Sequence, residues 1–335
     1  MNSIIKTYAP VIIPTLNRYD HFRQCLESLE KCTGADKTEV FIGLDYPPSE
    51  KYVEGWKKIN EYLKGKEEKN AFQNLIVERR TYNCGIGHEN SNFNLLRKKI
   101  SERYDRFIVS EDDNIFSSNF LEYINDGLEK YKDNPDCMTI CGYNLQGVTL
   151  EKYDNNCYFS HEFSAWGTGY WRDKRTIISS IINKDFAMSI MSNWHNIWTI
   201  YKNEPRLLNT IIMNLDCGKI FGDTMIVSYQ YLNNKYSLFP KVSKVRNIGC
   251  DGSGTSIFKV NDSFIKQVID ENEYFECDQI NESSLEVAMP EVRQHMKRSA
   301  FMNFIVFVRC FVYWLTKKDI LYYEVKRRNK PLFVS

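Results

Sequence analysis

The sequence predicts an α/β fold with a mostly parallel central sheet flanked by helices. Three observations lead there. Short apolar runs alternate with stretches of helical periodicity from residue 8 to residue 141, and polar residues follow the ends of those runs. The composition, 43% hydrophobic and 26% charged over 335 residues, is that of a folded chain with a sizeable core.

The elements follow in order. Residues 8–13 are compact, β-branched and closed by Pro14, which makes a first strand. Phe22, Cys25, Leu26, Leu29 and Cys32 recur at steps of three and four, one face of a helix. Glu39–Leu44 is a second strand, followed by helical spacing over 49–63. A third strand at 75–77 precedes a helix at 90–100 carrying Phe93, Leu96 and Ile100. Residues 106–110 form a fourth strand, Phe120, Ile124, Leu128 and Tyr131 mark a helix, and 138–141 read as a fifth strand. Residues 157–254 are less regular and rich in aromatics and glycines, with helices expected at 174–182 and 198–208. Residues 255–292 carry little pattern, and no repeat or Ser/Pro/Gly linker separates independent domains.

Composition excludes several classes. Ten cysteines without a CxxC pair read as small buried hydrophobes in a reducing compartment. Residues 1–14 lack the long apolar stretch and small-residue cleavage site of a secretory signal. The net charge of +1 conceals a split: residues 293–335 hold ten Lys/Arg against two Asp/Glu, leaving −7 for the rest. An acidic body with a short basic tail argues against a nucleic-acid groove, so no nucleic-acid partner is expected.

In an open parallel sheet the ligand crevice lies outside the carboxyl ends of the strands. The polar residues there are Thr15, Asn17 and Arg18 after the first strand, Asp45 after the second, Arg80 and Asn83 after the third, and Glu111, Asp112 and Asp113 after the fourth. They should converge on one side of the sheet. In FIVSEDDN a strand delivers three consecutive carboxylates, a concentration that calls for cations. A hard divalent ion, Mn²⁺ or Mg²⁺, can join carboxylate oxygens to phosphate oxygens, whereas the Cys/His spacing that zinc favours is missing. Asp113 is the expected metal ligand, Asp112 lies nearer the sugar and ribose, and Glu111 orients the cluster. The bland alternative is a solvated acidic turn before a helix capped by Ser117 or Ser118. Neither GxxxxGK[ST] nor GxGxxG after the first strand occurs, which weakens a dinucleotide reading.

APVIIPTLNR, the Asp of GLD, RTYNCGIGHENSN, SEDD, WGTGYW and NIGCDGSGT occur in the order found in GT-A-fold glycosyltransferases. Over about residues 8–254 the chain resembles family 2-like bacterial sugar transferases and N-acetylglucosaminyltransferase I, whose metal motif is likewise Glu-Asp-Asp. The resemblance implies a Rossmann-like GT-A domain with a nucleotide-sugar half at 1–142 and an acceptor-binding and catalytic half at 143–292; the charge split adds a basic amphipathic tail at 293–335. It implies that Pro14, Thr15 and Arg18 lie along the nucleotide and that Asp45 accepts from the uracil imide. Asn83 and Gly85 would form the turn near base or ribose, and Asp112 and Asp113 match the DXD-type positions. Trp166 and Gly167 would close under the donor sugar and acceptor, and Asp223 in FGDTMIVSYQYL is the nearest match to the catalytic base.

The reaction so implied moves a sugar from a UDP-sugar to a glycan hydroxyl with inversion, the metal stabilising the leaving diphosphate. Glu162 and Asp173 are other possible bases. His161 and Glu162 sit where they could touch the acceptor, though His161 could equally be structural. Asp251 could instead fix the glycine-rich loop. Trp166, Tyr170 and Trp171 could form a sugar platform or simple core. A metal-dependent nucleotide-sugar phosphodiesterase and a nonenzymatic nucleotide-sugar-binding protein are the rival readings.

Residues 301–315 contain 13 apolar residues among 15, interrupted by Arg309, and are followed by basic pairs at 317–318 and 327–328. The run is shorter than the about 20 residues of a spanning helix. It reads as a peripheral attachment to an anionic membrane, or else as a helix packed on the domain or in a homodimer. The expected setting is the cytoplasmic face of a bacterial inner membrane, otherwise the cytoplasm, with a lipid-linked acceptor in surface-polysaccharide synthesis.

Overall fold

The computed structural model describes residues 8–252 and 262–321. Strand β1 (Val11–Thr15) is followed by α1 (Tyr19–Glu30), β2 (Glu39–Leu44), α2 (Val53–Glu68), β3 (Asn74–Arg79), α3 (Asn92–Arg103) and β4 (Arg106–Val109). Helix α1 buries Phe22, Cys25, Leu26 and Leu29 of the stripe that its spacing foretold, and α3 buries Leu96 and Ile100 while Phe93 is only half-buried. The pairs β1–β2, β2–β3 and β1–β4 are parallel, which sets the carboxyl ends of these four strands along one edge. Pairing of β1 with β4 runs only from Val11↔Ile108 to Ile12↔Val109, stopping short of Pro14, which has no N–H to donate.

Past β4 come β5 (Asn114–Phe116), α4 (Phe120–Lys130), β6 (Cys137–Cys141), β7 (Cys157–Ser160) and β8 (Thr168–Trp171). Then follow α5 (Arg172–Ile181), α6 (Lys184–Ser192), α7 (Trp194–Asn203), α8 (Pro205–Cys217) and α9 (Gly222–Asn233). The chain continues through β9 (Tyr236–Pro240), β10 (Val245–Asn247), the four-residue α10 (Asp262–Ile265), α11 (Ser283–His295) and α12 (Ala300–Thr316). The main sheet has the order β3-β2-β1-β4-β8-β6-β9-β7, and β5 and β10 make a separate ribbon.

The expectation of a mostly parallel sheet needs correction. Strand β8 lies between β4 and β6 and is antiparallel to both, so the sheet is mixed beyond β4. GTGYW gave no strand signal of its own, because glycine and aromatic residues are shared by turns and cores. The helix expected at 198–208 is two helices, broken at Glu204–Pro205. Proline cannot donate to the helix and disfavours helical backbone in the residue before it.

The chain divides into two compact units. The first comprises residues up to Tyr158, Ser164–Lys174 and Leu238–Ile280. The second comprises Phe159–Phe163, Arg175–Ser237 and the residues from Asn281 on. Its core is a helical cluster including Ile190, Ile200, Leu208, Ile211, Met225, Val306 and Cys310. Helix α12 therefore buries one face, at Val306 and Cys310, while Phe301, Phe304, Ile305, Phe311 and Leu315 remain exposed. Among the described residues no single helix is long and apolar enough to cross a membrane; α11 and α12 pass that test only together, bent by 96°. All ten cysteines are free thiols and nine are buried. The basic pair at 327–328 and Ser253–Ser256 lie outside the described residues.

Candidate functional site at the carboxyl edge of the sheet

The strand-end residues of the first unit meet as the topology requires. Thr15, last in β1, donates its hydroxyl to Asp112 Oδ2 at 2.8 Å. Arg18 stands at the start of α1 and its Nη2 donates to Asp112 Oδ1 at 2.8 Å and Asp113 Oδ2 at 2.5 Å. Asp113 is buried, and its Oδ1 accepts from Asn247 Nδ2 at 2.6 Å. One guanidinium thus compensates two adjacent carboxylates whose four oxygens are all hydrogen-bonded. Burial opposes the Arg18 charge, but the two aspartates outweigh it and raise its pKa. Asp112 is raised as well, by burial first and by Asp113, with Arg18 and Thr15 pulling the other way.

Asn247 and Gly249 escaped the sequence reading. The β5–β10 ribbon sets Asn247 opposite Asn114, and Ile248 N donates to the Asp113 carbonyl at 2.9 Å. A Cβ on Gly249 would sit 1.9 Å from Asp113 Oδ2, so glycine is needed for this close approach. The NIG run was the available signal. His21 Nε2 lies 3.0 Å from Asp251 Oδ2.

The triplet does not act as one. Glu111 Oε2 accepts from Trp166 Nε1 at 3.1 Å, away from the Arg18 pair. Trp166 also meets Tyr143 and Phe264 edge to face. Thr168 pairs with Val109, so the preceding Trp166 and Gly167 lie at the carboxyl end of β4. Gly167, at φ +67°, packs on Val245 and Phe120, and its carbonyl accepts from Gly142 N. At the other end of β8, Trp171 pairs with Arg106, the first residue of β4. Asp173 therefore sits toward the opposite edge and cannot be the base at this crevice. Tyr170 stacks on Phe107 and Trp171 donates to the Leu128 carbonyl; both are buried core, not a sugar platform.

The Asp113 oxygens, expected to hold a divalent cation, are here engaged by Arg18 and Asn247. No group of three His, Cys, Asp or Glu suited to a metal exists among the described residues. Asp113 is enclosed further by Gly249, which closes on Oδ2.

Asp45 organises the neighbouring loop. Its Oδ1 accepts from Tyr46 N and Cys84 N at 2.9 and 2.8 Å. Its Oδ2 accepts from Gly85 N at 3.0 Å and Asn83 Nδ2 at 3.3 Å. Four donors fill the acceptor capacity of one carboxylate. Arg80 at the end of β3 bonds Asn92 and Glu78, while its Nη2 is buried with no hydrogen-bond partner.

In the second unit, Asp223 occupies the first turn of α9, is solvent-exposed and hydrogen-bonds to none of the described residues. Surrounding protein nevertheless desolvates the carboxylate and raises its pKa to about 6, against the helix N-terminus, which favours the charge. Glu162 is buried, accepts from Tyr231 Oη at 2.8 Å, and is pushed up to about 7 by burial and then by Glu204. His161 Nδ1 lies 2.6 Å from the Lys235 carbonyl, and burial lowers its pKa. The neutral ring donates there.

No protein-family model matches the sequence, and no curated protein does. Among solved structures, S. aureus TarS aligns at 12% identity and TM-score 0.33, covering 51% of this chain and 29% of that one. The TarS 1–349 structure gives 15% and 0.34, covering 51% and 49%. The mannosyltransferase PcManGT from Pyrobaculum calidifontis in complex with GDP-Man and Mn²⁺ gives 13% and 0.36, covering 67% and 69%. The chain thus spans less than half of either TarS structure. Likeness at this level leaves the chemistry of the chain to its own residues.

Proposed function

We propose that this chain is a GT-A-type glycosyltransferase that binds a UDP-sugar at the carboxyl edge of its sheet and passes the sugar to a glycan hydroxyl. The observation that carries the reading is the convergence of Thr15, Arg18, Asp112, Asp113, Asn247 and Gly249, from three segments, into one charged cluster beside Trp166 and Glu111. The ordered sequence resemblance supports it independently.

In this reading Arg18 faces the diphosphate and stabilises the charge that grows as the glycosidic bond breaks. Asp112 receives the ribose. The loop tied by Asp45 takes the base, the imide N–H replacing the Asn83 amide, the longest of its four bonds. Asp223 accepts the proton of the attacking hydroxyl; a pKa of about 6 leaves it mostly ionised at neutral pH yet basic enough to help. A single displacement inverts the anomeric centre. The exposed apolar face of α12 supports an acceptor that is lipid-linked and a chain that works at the cytoplasmic face of a membrane.

The test is UDP release from a panel of UDP-sugars, with and without acceptor glycans, together with the anomeric configuration of the product. Asp223→Asn should lower turnover by about 10²–10⁴-fold and leave UDP affinity within about twofold. Near-parental turnover in that variant would remove Asp223 as the base. Release without acceptor would favour the phosphodiesterase, and UDP binding without turnover the binding protein.

A further inference from the structure

The second unit contains a concavity of about 640 Å³ lined by residues of α7, α8, α11, α12 and the turn before α12. Five of them are cations: Lys202, Arg206, Arg293, Lys297 and Arg298. Glu204 is the single carboxylate of the lining, is buried, and is spent on Arg206, whose Nε lies 2.5 Å away. Arg293 donates to the neutral Asn203 Oδ1 at 2.6 Å. Among the described residues Lys202, Lys297 and Arg298 form no ion pair, and Lys202 lies only over the Trp198 ring. Like charges around a concavity raise its potential and concentrate anions there. Asn303, in the first turn of α12, shares the lining.

The ligand's second half is written on the same helix. Phe301 and Phe304 flank Asn303 and are 69% and 60% exposed, and the apolar face continues through Ile305, Phe311 and Leu315. An anion site rooted at one end of an unpartnered apolar face matches a molecule that is anionic at its head and apolar in its body.

We propose that this pocket holds the phosphate of an anionic phospholipid headgroup, with the exposed face of α12 lying among the acyl chains beside it. The second unit is then the membrane-docking part of the chain. The inference rests on the membrane setting proposed above, but not on sugar transfer, and its test reads no turnover.

The full chain is sedimented with vesicles of phosphatidylcholine alone and with about one third phosphatidylglycerol. Binding should require phosphatidylglycerol and weaken as salt rises. Lys297→Gln with Arg298→Gln should weaken it about 30-fold, at about 1 kcal/mol for each basic residue near the surface. Lys202→Gln, at a separate position on the rim, should weaken it about fivefold and serves if the double variant misfolds. Phe301→Ser with Phe304→Ser should weaken binding to vesicles while leaving the binding of inorganic phosphate, followed by calorimetry, unchanged. Vesicle binding that survives loss of the cations would overturn the pocket's role. Binding of inorganic phosphate that these cation variants weaken, without any vesicle binding, would assign the site to a soluble phosphate and overturn the lipid. A dimer that buries Phe301 and Phe304 and ignores vesicles would give that face to a second copy of the chain.

Discussion

Arg18 decides the character of the cluster at the sheet edge. A guanidinium carries its charge at every working pH and can serve two carboxylates from one planar fork. Removing it leaves Asp112 and Asp113 adjacent and uncompensated. Arg18→Ala should therefore lower stability by about 2 kcal/mol, the cost of leaving buried polar groups short of a partner. The same change opens the hard oxygen donors that Arg18 covers. Mn²⁺ should then raise the melting temperature of Arg18→Ala and leave the parent chain without nucleotide almost unmoved. Equal stabilisation of both proteins would show that Arg18 does not stand where a cation would.

Among the elements, α12 shows how a charge can sit inside an apolar run. Arg309 interrupts 301–315, yet its guanidinium reaches Asp319 at 3.0 and 2.5 Å and Asn209 at 3.0 Å. The Asp319 side chain is 1% exposed and that of Arg309 15%, so the pair is part of the packing that fastens the end of α12. Breaking a buried pair from one side is costly because a charge stays behind in low dielectric. Asp319→Ala should reduce stability by about 3 kcal/mol, seen as a lower urea midpoint with an unchanged slope. No shift in the midpoint would make the pair incidental. The apolar run is thus half core and half surface, and periodicity alone could not say which residues belonged to which.

At the scale of the whole molecule, stability should fall as pH rises through neutrality. Glu162 and Asp223 both bind a proton more tightly folded than unfolded, with folded values of about 7 and about 6. Their native forms are therefore favoured below the ordinary carboxylate range and lose that advantage as pH climbs to 7. For Glu162, raised from 4.5 to about 7, the loss is about 3 kcal/mol. Glu162→Gln keeps an acceptor for Tyr231 and removes the titration. It should melt higher than the parent at pH 8 and show a flatter profile from pH 5 to 8, the remaining slope coming partly from Asp223. A profile as steep as the parent's would place the proton elsewhere.

The sequence by itself determined the order of strands and helices as far as β6, apart from the three-residue β5, and with it the edge on which Thr15, Arg18, Asp45, Arg80 and Asp112 gather. Apolar periodicity is local, and parallel crossovers leave little choice about where strand ends point. Only the tertiary structure decided what those residues do there. Strand β8 enters antiparallel beside β4, carrying Trp166 to Glu111 and taking Asp173 away. The β5–β10 ribbon brings Asn247 across 134 positions to Asp113. Arg18 bonds both aspartates of the expected metal motif, and five cations of the second unit meet around one hollow. Register between distant strands and the balance of charge in a buried cluster depend on which segments meet, and no window of sequence contains both partners.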